Sequence, residues 1–273
     1  MISLGELARA EELRQAAGVR ETSPEAAACA GGVMARSAPG VWTNYCVGAG
    51  FAGEVTAQDI AGLVDYYASK GIEPRIEVCP FADESLVART REAGFVIRLF
   101  ELVLYRPLDP AAPVTPVHAA PAGLRIGAIN PEDAAEVGEF VRVSTTGFMP
   151  GLDPIPEAFK DAVRNTVRHP RTLAVAAWLD GAMVGCGAME MALPVAGLFG
   201  LTVQEGFRRR GIQQAMLAWR LNHAAPLGCL FATIGSKPTS GTLSNVRRMG
   251  FEVAYTKATL VRPGPGLVPV AEY

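Results

Sequence analysis

The stretch VQEGFRRRGIQQAML, residues 203–217, places three consecutive arginines, Arg208, Arg209 and Arg210, directly before Gly211. Ile212, Ala215, Met216 and Trp219 follow at helical spacing, so an amphipathic helix opens at that glycine. The first turn of a helix carries unpaired amide donors and the positive end of its dipole. A glycine there lets a bound group approach the backbone, and the result is a physical seat for a phosphate or diphosphate. An exposed basic loop before an ordinary helix has the same spacing, and spacing alone does not separate the two. A nucleic-acid surface would need aromatic residues between the basic ones and a wider basic face, which the stretch lacks.

A second candidate is Glu190, the one acidic residue in the apolar run 182–193. Burial there would raise its pKa toward the range of a general base, whereas a place at the strand end would leave it merely solvated. Glu205 and Asp180 read as loop and turn residues. The five cysteines (29, 46, 79, 186, 229) are scattered and form no CxxC pair, and the three histidines are dispersed. That pattern gives neither a disulfide framework nor a metal site, and Cys186 and Cys229 read as packing residues in apolar strands. Trp178, Trp219 and Met216 have core spacing.

These residues must be positioned by a fold, and the 273-residue chain is long enough for two ordinary domains. Hydrophobic content of 49% with 19% charged residues describes a globular protein. A net charge of −2 gives no general attraction to nucleic acid or acidic membrane. The charged start lacks the apolar core of a signal peptide and no apolar run approaches about 20 residues. With the scattered cysteines, the expectation is a reduced, cytoplasmic protein without a membrane span.

The chain writes one ending twice. REAGFVIRLFELVLYRP (91–107) and RRMGFEVAYTKATLVRP (247–263) each pass from Gly-Phe through a strand-like run to Arg-Pro. Before each stands a short apolar strand, PRIEVCP (74–80) and LFATIGS (230–236), and before that an amphipathic helix. In the first half that helix carries Ile60, Leu63, Val64 and Tyr67, started by Thr56 with Asp59 as a capping box. The repeated order implies a duplicated α/β fold with a mixed, α+β type of sheet. Between the halves, RPLDPAAPVTPVHAAPAG (106–123) contains five prolines and reads as an extended linker. The expected division is a domain at 1–108, a linker at 109–121, a domain at 122–265 and a tail at 266–273.

In the second half LRIGAI (124–129) alternates like a strand. Asn130 then caps a helix with proline at its first position, and 154–169 forms a second helix. TLAVAAWLD and AMVGCGAMEMAL are strands joined at the Asp180-Gly181 turn, and GLFGLTV (197–203) is a third.

VQEGFRRRGIQQAML resembles the acetyl-CoA loop of the GCN5-related N-acetyltransferases (GNAT), with signature Arg/Gln-x-x-Gly-x-Gly/Ala. Arg208 and Gly211 match its first and fourth positions, and Gln213 stands where the broader family has a small residue. PTSGTLSNVRRMGF (238–251) is similar to the closing motif of a bacterial subgroup, and the hairpin VAAWLDGAMVGCGAME to the family's second and third strands. The likeness covers about 122–264 and implies two tandem GNAT-like domains. It also implies an acetyl-CoA-dependent N-acetyltransferase whose acceptor is an amine of a small molecule or peptide; the sequence leaves monomer and homodimer both open.

The resemblance assigns roles by position. Leu201, Thr202 and Val203 would hold the pantetheine arm through strand-like backbone bonds, with an amide near Val203 serving as an oxyanion donor. Arg208, Arg209, Arg210, Gly211, Ile212, Gln213 and Gln214 would cradle the diphosphate, and Ser240 and Asn245 would lie near the cofactor. By its own place in an apolar strand, and not by the resemblance, Glu190 would be the general base. The family's usual general-acid tyrosine falls at Val246; Tyr255 on the last strand reads as a core or interface tyrosine before a substitute for it. In the first half GAGFAGEVTAQD has no arginine and carries Glu54 and Asp59, so that half is expected to lack a cofactor loop. A noncatalytic acyl-CoA sensor or scaffold is the alternative to the enzyme.

Overall fold

The computed structural model describes residues 2–271. Along the chain run α1 (Leu4–Thr22), β1 (Glu25–Cys29), β2 (Gly32–Arg36), β3 (Tyr45–Val47), α2 (Ala57–Ala68), β4 (Arg75–Val78), α3 (Ser85–Glu92) and β5 (Val96–Pro107). There follow β6 (Arg125–Ala128), α4 (Ala134–Phe148), α5 (Glu157–Arg168), β7 (Thr172–Leu179), β8 (Ala182–Ala192) and β9 (Val195–Val203). The chain ends with α6 (Ile212–Ala224), β10 (Phe231–Ser236), α7 (Gly241–Arg248) and β11 (Glu252–Val261). Among the described residues two compact units emerge: 2–103 with 253–271, and 104–252.

That division departs from chain order. Residues 253–265 were assigned to the second half, yet β11 packs in the first unit. There the strands run β1-β2-β3-β4-β11-β5, with Ala258 of β11 opposite Val78 of β4 in antiparallel register. The reason is polar. Lys257 sits in the middle of an apolar strand and is fully buried, a position tolerable only with anionic partners. Glu12 of α1 lies 2.8 Å from its ammonium and Glu77 of β4 lies 3.2 Å away. Tyr255, two residues before on the same face, donates to Glu12 Oε1 at 2.8 Å. The expected tail also belongs here: Val268 N–H donates to the Gly71 carbonyl and its own carbonyl accepts from Glu73. Glu272 and Tyr273 lie outside the described residues.

The duplicated Gly-Phe has a local cause. Gly94 and Gly250 have φ of +80° and +78°, the left-handed conformation that ends a helix. In the first copy Gly94 N–H donates to Arg91 and Phe95 N–H to Thr90. In the second, Gly250 donates to Arg247 and Phe251 to Val246. Both are Schellman caps, ending α3 and α7, and each drives its phenylalanine into the core.

The second unit has strand order β10-β9-β8-β7-β6, with Leu108, just past the end of β5, donating to the Leu230 carbonyl beside β10. One sheet face is covered by α6, whose Ile212 and Met216 pack on Val175, Ala177, Leu179, Val184 and Val203. Thr202 points the opposite way, as its neighbour on a strand must, and meets α4 at Gly147. A side chain at Gly147 would collide with the Thr202 side chain. Two helix starts differ from expectation. Asp133, not Asn130, caps α4 by accepting from Ala135 and Glu136, because Asn130 Oδ1 accepts from Glu132 in the preceding turn. Helix α5 begins at Glu157, with Pro154 and Pro156 left before it. No helix among the described residues is long and apolar enough to cross a membrane.

Candidate functional site

The site begins with a defect in β9. Cys186 of β8 stands opposite Thr202, but Ala188 stands opposite Phe199, so β9 carries one extra residue. Gly200, with φ of +63°, takes the bend of this bulge. On its other edge β9 pairs in parallel with β10 from Val195–Phe231 to Leu198–Ile234, where the pairing stops. From Phe199 to Val203 that edge has no strand beside it among the described residues. Gln204 N–H donates to the Val184 carbonyl, so the alternation of an antiparallel ladder turns the amide of Val203 toward the open edge.

The loop after β9 makes a single 3-10 turn at Glu205–Phe207 and returns, tied by a 3.0 Å bond from Arg208 Nε to the Val203 carbonyl. Arg209 has φ of +60°, a conformation that costs a side-chain-bearing residue about 1–2 kcal/mol. Gly211 follows with φ of +76° as the residue that precedes α6, and no side chain caps the helix. The first α6 amide with a backbone acceptor is that of Ala215, which donates to Gly211. The amides of Ile212, Gln213 and Gln214 are thus left as free donors. In α2 the third of the equivalent donors is occupied, and a carboxylate stands at the helix start. Thr56 Oγ1 accepts from Asp59 N–H at 3.2 Å, and the Asp59 carboxylate accepts from Thr56 N–H at 2.8 Å.

Around the open helix end lies a cavity of about 960 Å³. It is lined by Val203, the run from Arg208 to Gln214, and Asn245, with Gly241 and Thr242 of α7. Among the described residues no carboxylate lines it. Asn245 Nδ2 donates to Gln213 Oε1 at 2.6 Å. Gln214 is only 3% exposed; its Oε1 accepts from His118 N–H at 3.0 Å, while its Nε2 is buried without a partner. A glycine that leaves the backbone bare, a set of free amides, an orphaned amide donor and three arginines fit a diphosphate.

Other expected residues lie elsewhere. The Leu201 side chain packs into the α6 core and Thr202 against α4. Ser240 caps α7 by accepting from Leu243, and its hydroxyl pairs with Ser236 at 2.7 Å. Glu190 is 5% exposed in β8 and does not line the cavity; Arg171 Nη2 holds its Oε1 at 2.8 Å. Val246 is 2% exposed, with no hydroxyl to offer. The Tyr255 hydroxyl is engaged by Glu12 in the other unit's core. Burial pushes the Cys186 thiol up to about 12, which leaves it protonated and unreactive.

Two features escaped sequence reasoning. Residues 118–121, read as spacer, form a wall of the cavity. Arg220, fully buried in α6, donates through Nη1 to the Ala188 carbonyl at 2.9 Å and reaches that of Phe199 at 3.5 Å, bracketing the β9 bulge. Its Nη2 has no partner, and burial lowers its pKa to about 10. A signal was available, because Arg220 lies one helical repeat after the core residue Met216.

Residues 141–251 match the Acetyltransferase (GNAT) family. No curated protein sequence matches the chain. Among solved structures, a GCN5-related N-acetyltransferase from Kribbella flavida aligns with TM-score 0.70 at 18% identity, covering 96% of this chain and 97% of its own. A tandem GNAT protein from the clavulanic acid biosynthesis pathway aligns with TM-score 0.60 at 16% identity, over 91% and 86%. A GNAT-family acetyltransferase structure from Novosphingobium aromaticivorans aligns with TM-score 0.56 at 14% identity, over 93% and 99%. At these identities the likeness establishes the fold.

Proposed function

From the match of residues 141–251 to the Acetyltransferase (GNAT) family, we propose that the chain is an acetyl-CoA-dependent N-acetyltransferase acting on an amine of a small molecule or peptide. The observation that carries this reading is the uncapped, Gly211-opened start of α6 beside an unpaired strand edge. The amides of residues 212–214, with Arg208, Arg209 and Arg210, would hold the diphosphate. The open edge of β9 at Leu201 and Val203 would hold the pantetheine arm. When bound, acetyl-CoA supplies the activated acetyl group.

The Val203 amide, turned toward the open edge, is positioned to donate to an oxygen on which negative charge develops. An acceptor amine, with a pKa near 10, must lose a proton to attack. Glu190 is the carboxylate proposed to take it, with one oxygen steadied by Arg171. No tyrosine serves as general acid at position 246, and a thiol with a pKa of about 8.5 departs without one. In the first unit the capping box on α2 supports the reading that this half binds no cofactor.

Isothermal titration tests the first step: absence of heat with acetyl-CoA at high micromolar concentration overturns the proposal. Thiol release with an amine panel tests the second. The buried Val246 and the Arg171-paired Glu190 favour one other reading, a noncatalytic acyl-CoA sensor. Binding without thiol release above hydrolytic background would select it.

A further inference from the structure

The proline-rich segment is fastened along α6 at both ends. Near the end of the helix, Asn222 brackets the backbone of Val114: Oδ1 accepts from Val114 N–H at 2.7 Å, and Nδ2 donates to the Val114 carbonyl at 2.8 Å. Two turns earlier Gln214 Oε1 accepts from His118 N–H at 3.0 Å. The eight helical residues between Gln214 and Asn222 rise about 12 Å. Four residues of polyproline-type chain, from Val114 to His118, cover about 12 Å as well. The segment therefore runs alongside the helix, bending at Val117 and His118, and Pro113, Pro116 and Pro121 limit the entropy lost in holding it there.

Beyond His118 the segment reaches the diphosphate loop. The Ala119 carbonyl rests on Gly211, where an added Cβ would lie 2.5 Å from its oxygen. Residues 118–121 then face Arg208–Gln214 across the cavity. A passive spacer needs none of these contacts. Moreover, the His118 amide fixes the carboxamide of Gln214, leaving Nε2 buried with no protein acceptor. Such a donor is unfavourable unless a ligand oxygen completes it.

We propose that residues 113–121 are a built wall of the acyl-CoA site. The segment orients the Gln214 amide and closes the diphosphate loop from the side, so that the nucleotide end of CoA is gripped between it and the first turn of α6. This inference rests on the acyl-CoA reading above.

Hydrogen exchange on the intact protein, with and without CoA, tests it without any mutation. Slowed exchange at 114–120 together with 208–214 is the expected result. Slowing at 208–214 with residues 114–120 unchanged overturns the wall and leaves acyl-CoA binding standing. No slowing at either stretch overturns both. An Asn222→Leu variant, altered outside the cavity lining, releases Val114 while sparing the loop. Its CoA affinity should fall about fivefold through lost preorganisation, and affinity equal to or tighter than the unaltered chain also overturns the proposal.

Discussion

Asn245 Nδ2 donates to Gln213 Oε1 at 2.6 Å, joining two sequence motifs that lie 32 residues apart at one rim of the cavity. A single neutral bond of this kind contributes about 0.5–1.5 kcal/mol. Asn245→Ala should therefore weaken acetyl-CoA binding about two- to tenfold by titration, with little change in Tm. An unaltered affinity would separate α7 from the cofactor site.

Gly211→Ala should do more. The residue sits at φ +76°, where a side chain costs about 1–2 kcal/mol, and the new methyl would press on the Ala119 carbonyl. A lower Tm and loss of measurable acetyl-CoA binding are expected together. A variant that binds normally would show that the loop can relax around a Cβ.

Arg220 supports the β9 bulge from within. Arg220→Met leaves the Ala188 and Phe199 carbonyls buried without the donor that reaches them, and should lower stability by about 1–3 kcal/mol in urea unfolding. Acetyl-CoA affinity should fall as the open edge of β9 relaxes, and Arg220→Lys should restore part of both. Equal stability and binding in the methionine variant would remove this role.

Glu190→Gln should lower kcat for acetyl transfer at least about tenfold while leaving acetyl-CoA affinity intact, if Glu190 receives the amine proton. The loss should be relieved at high pH, where the amine is already neutral. Equal loss at every pH would mark the Arg171–Glu190 pair as structural.

A pH dependence belongs to the first unit. Glu101 on β5 is half-buried, and burial, then repulsion from Glu77 and Glu12 against attraction from Lys257 and Arg75, raises its pKa to about 7. Its ordinary value is 4.5, so between these values the native state holds a proton that the unfolded chain has lost. This group's contribution to stability is thus full in acid, declines as pH rises from about 5 to about 7, and levels off above. Glu101→Gln should remove that slope and raise Tm at pH 8 relative to the unaltered chain. Parallel Tm–pH curves for the two proteins would count against it.

Local rules were legible in the sequence because they act within a few residues. The Thr56–Asp59 capping box, the Gly-Phe helix caps, the Asp180-Gly181 hairpin and the glycine opening of α6 each follow from backbone geometry. The loop 208–214 and Asn245 were recognisable from their pattern, and the structure gathers them around one cavity. The strand-edge residues Leu201 and Thr202 were legible as a stretch, but which way each side chain turns depends on the bulge at Gly200.

What one dimension could not reveal was pairing between distant segments. The exchange of β11 into the first unit depends on where Glu12 and Glu77 stand when Lys257 is buried, a balance of desolvation against charge that no local spacing records. The same holds for Arg220 under the bulge and for the proline-rich segment. Its composition determined that it would be extended; only the carboxamides of Asn222 and Gln214, presented two turns apart on a folded helix, decided what it would lie against.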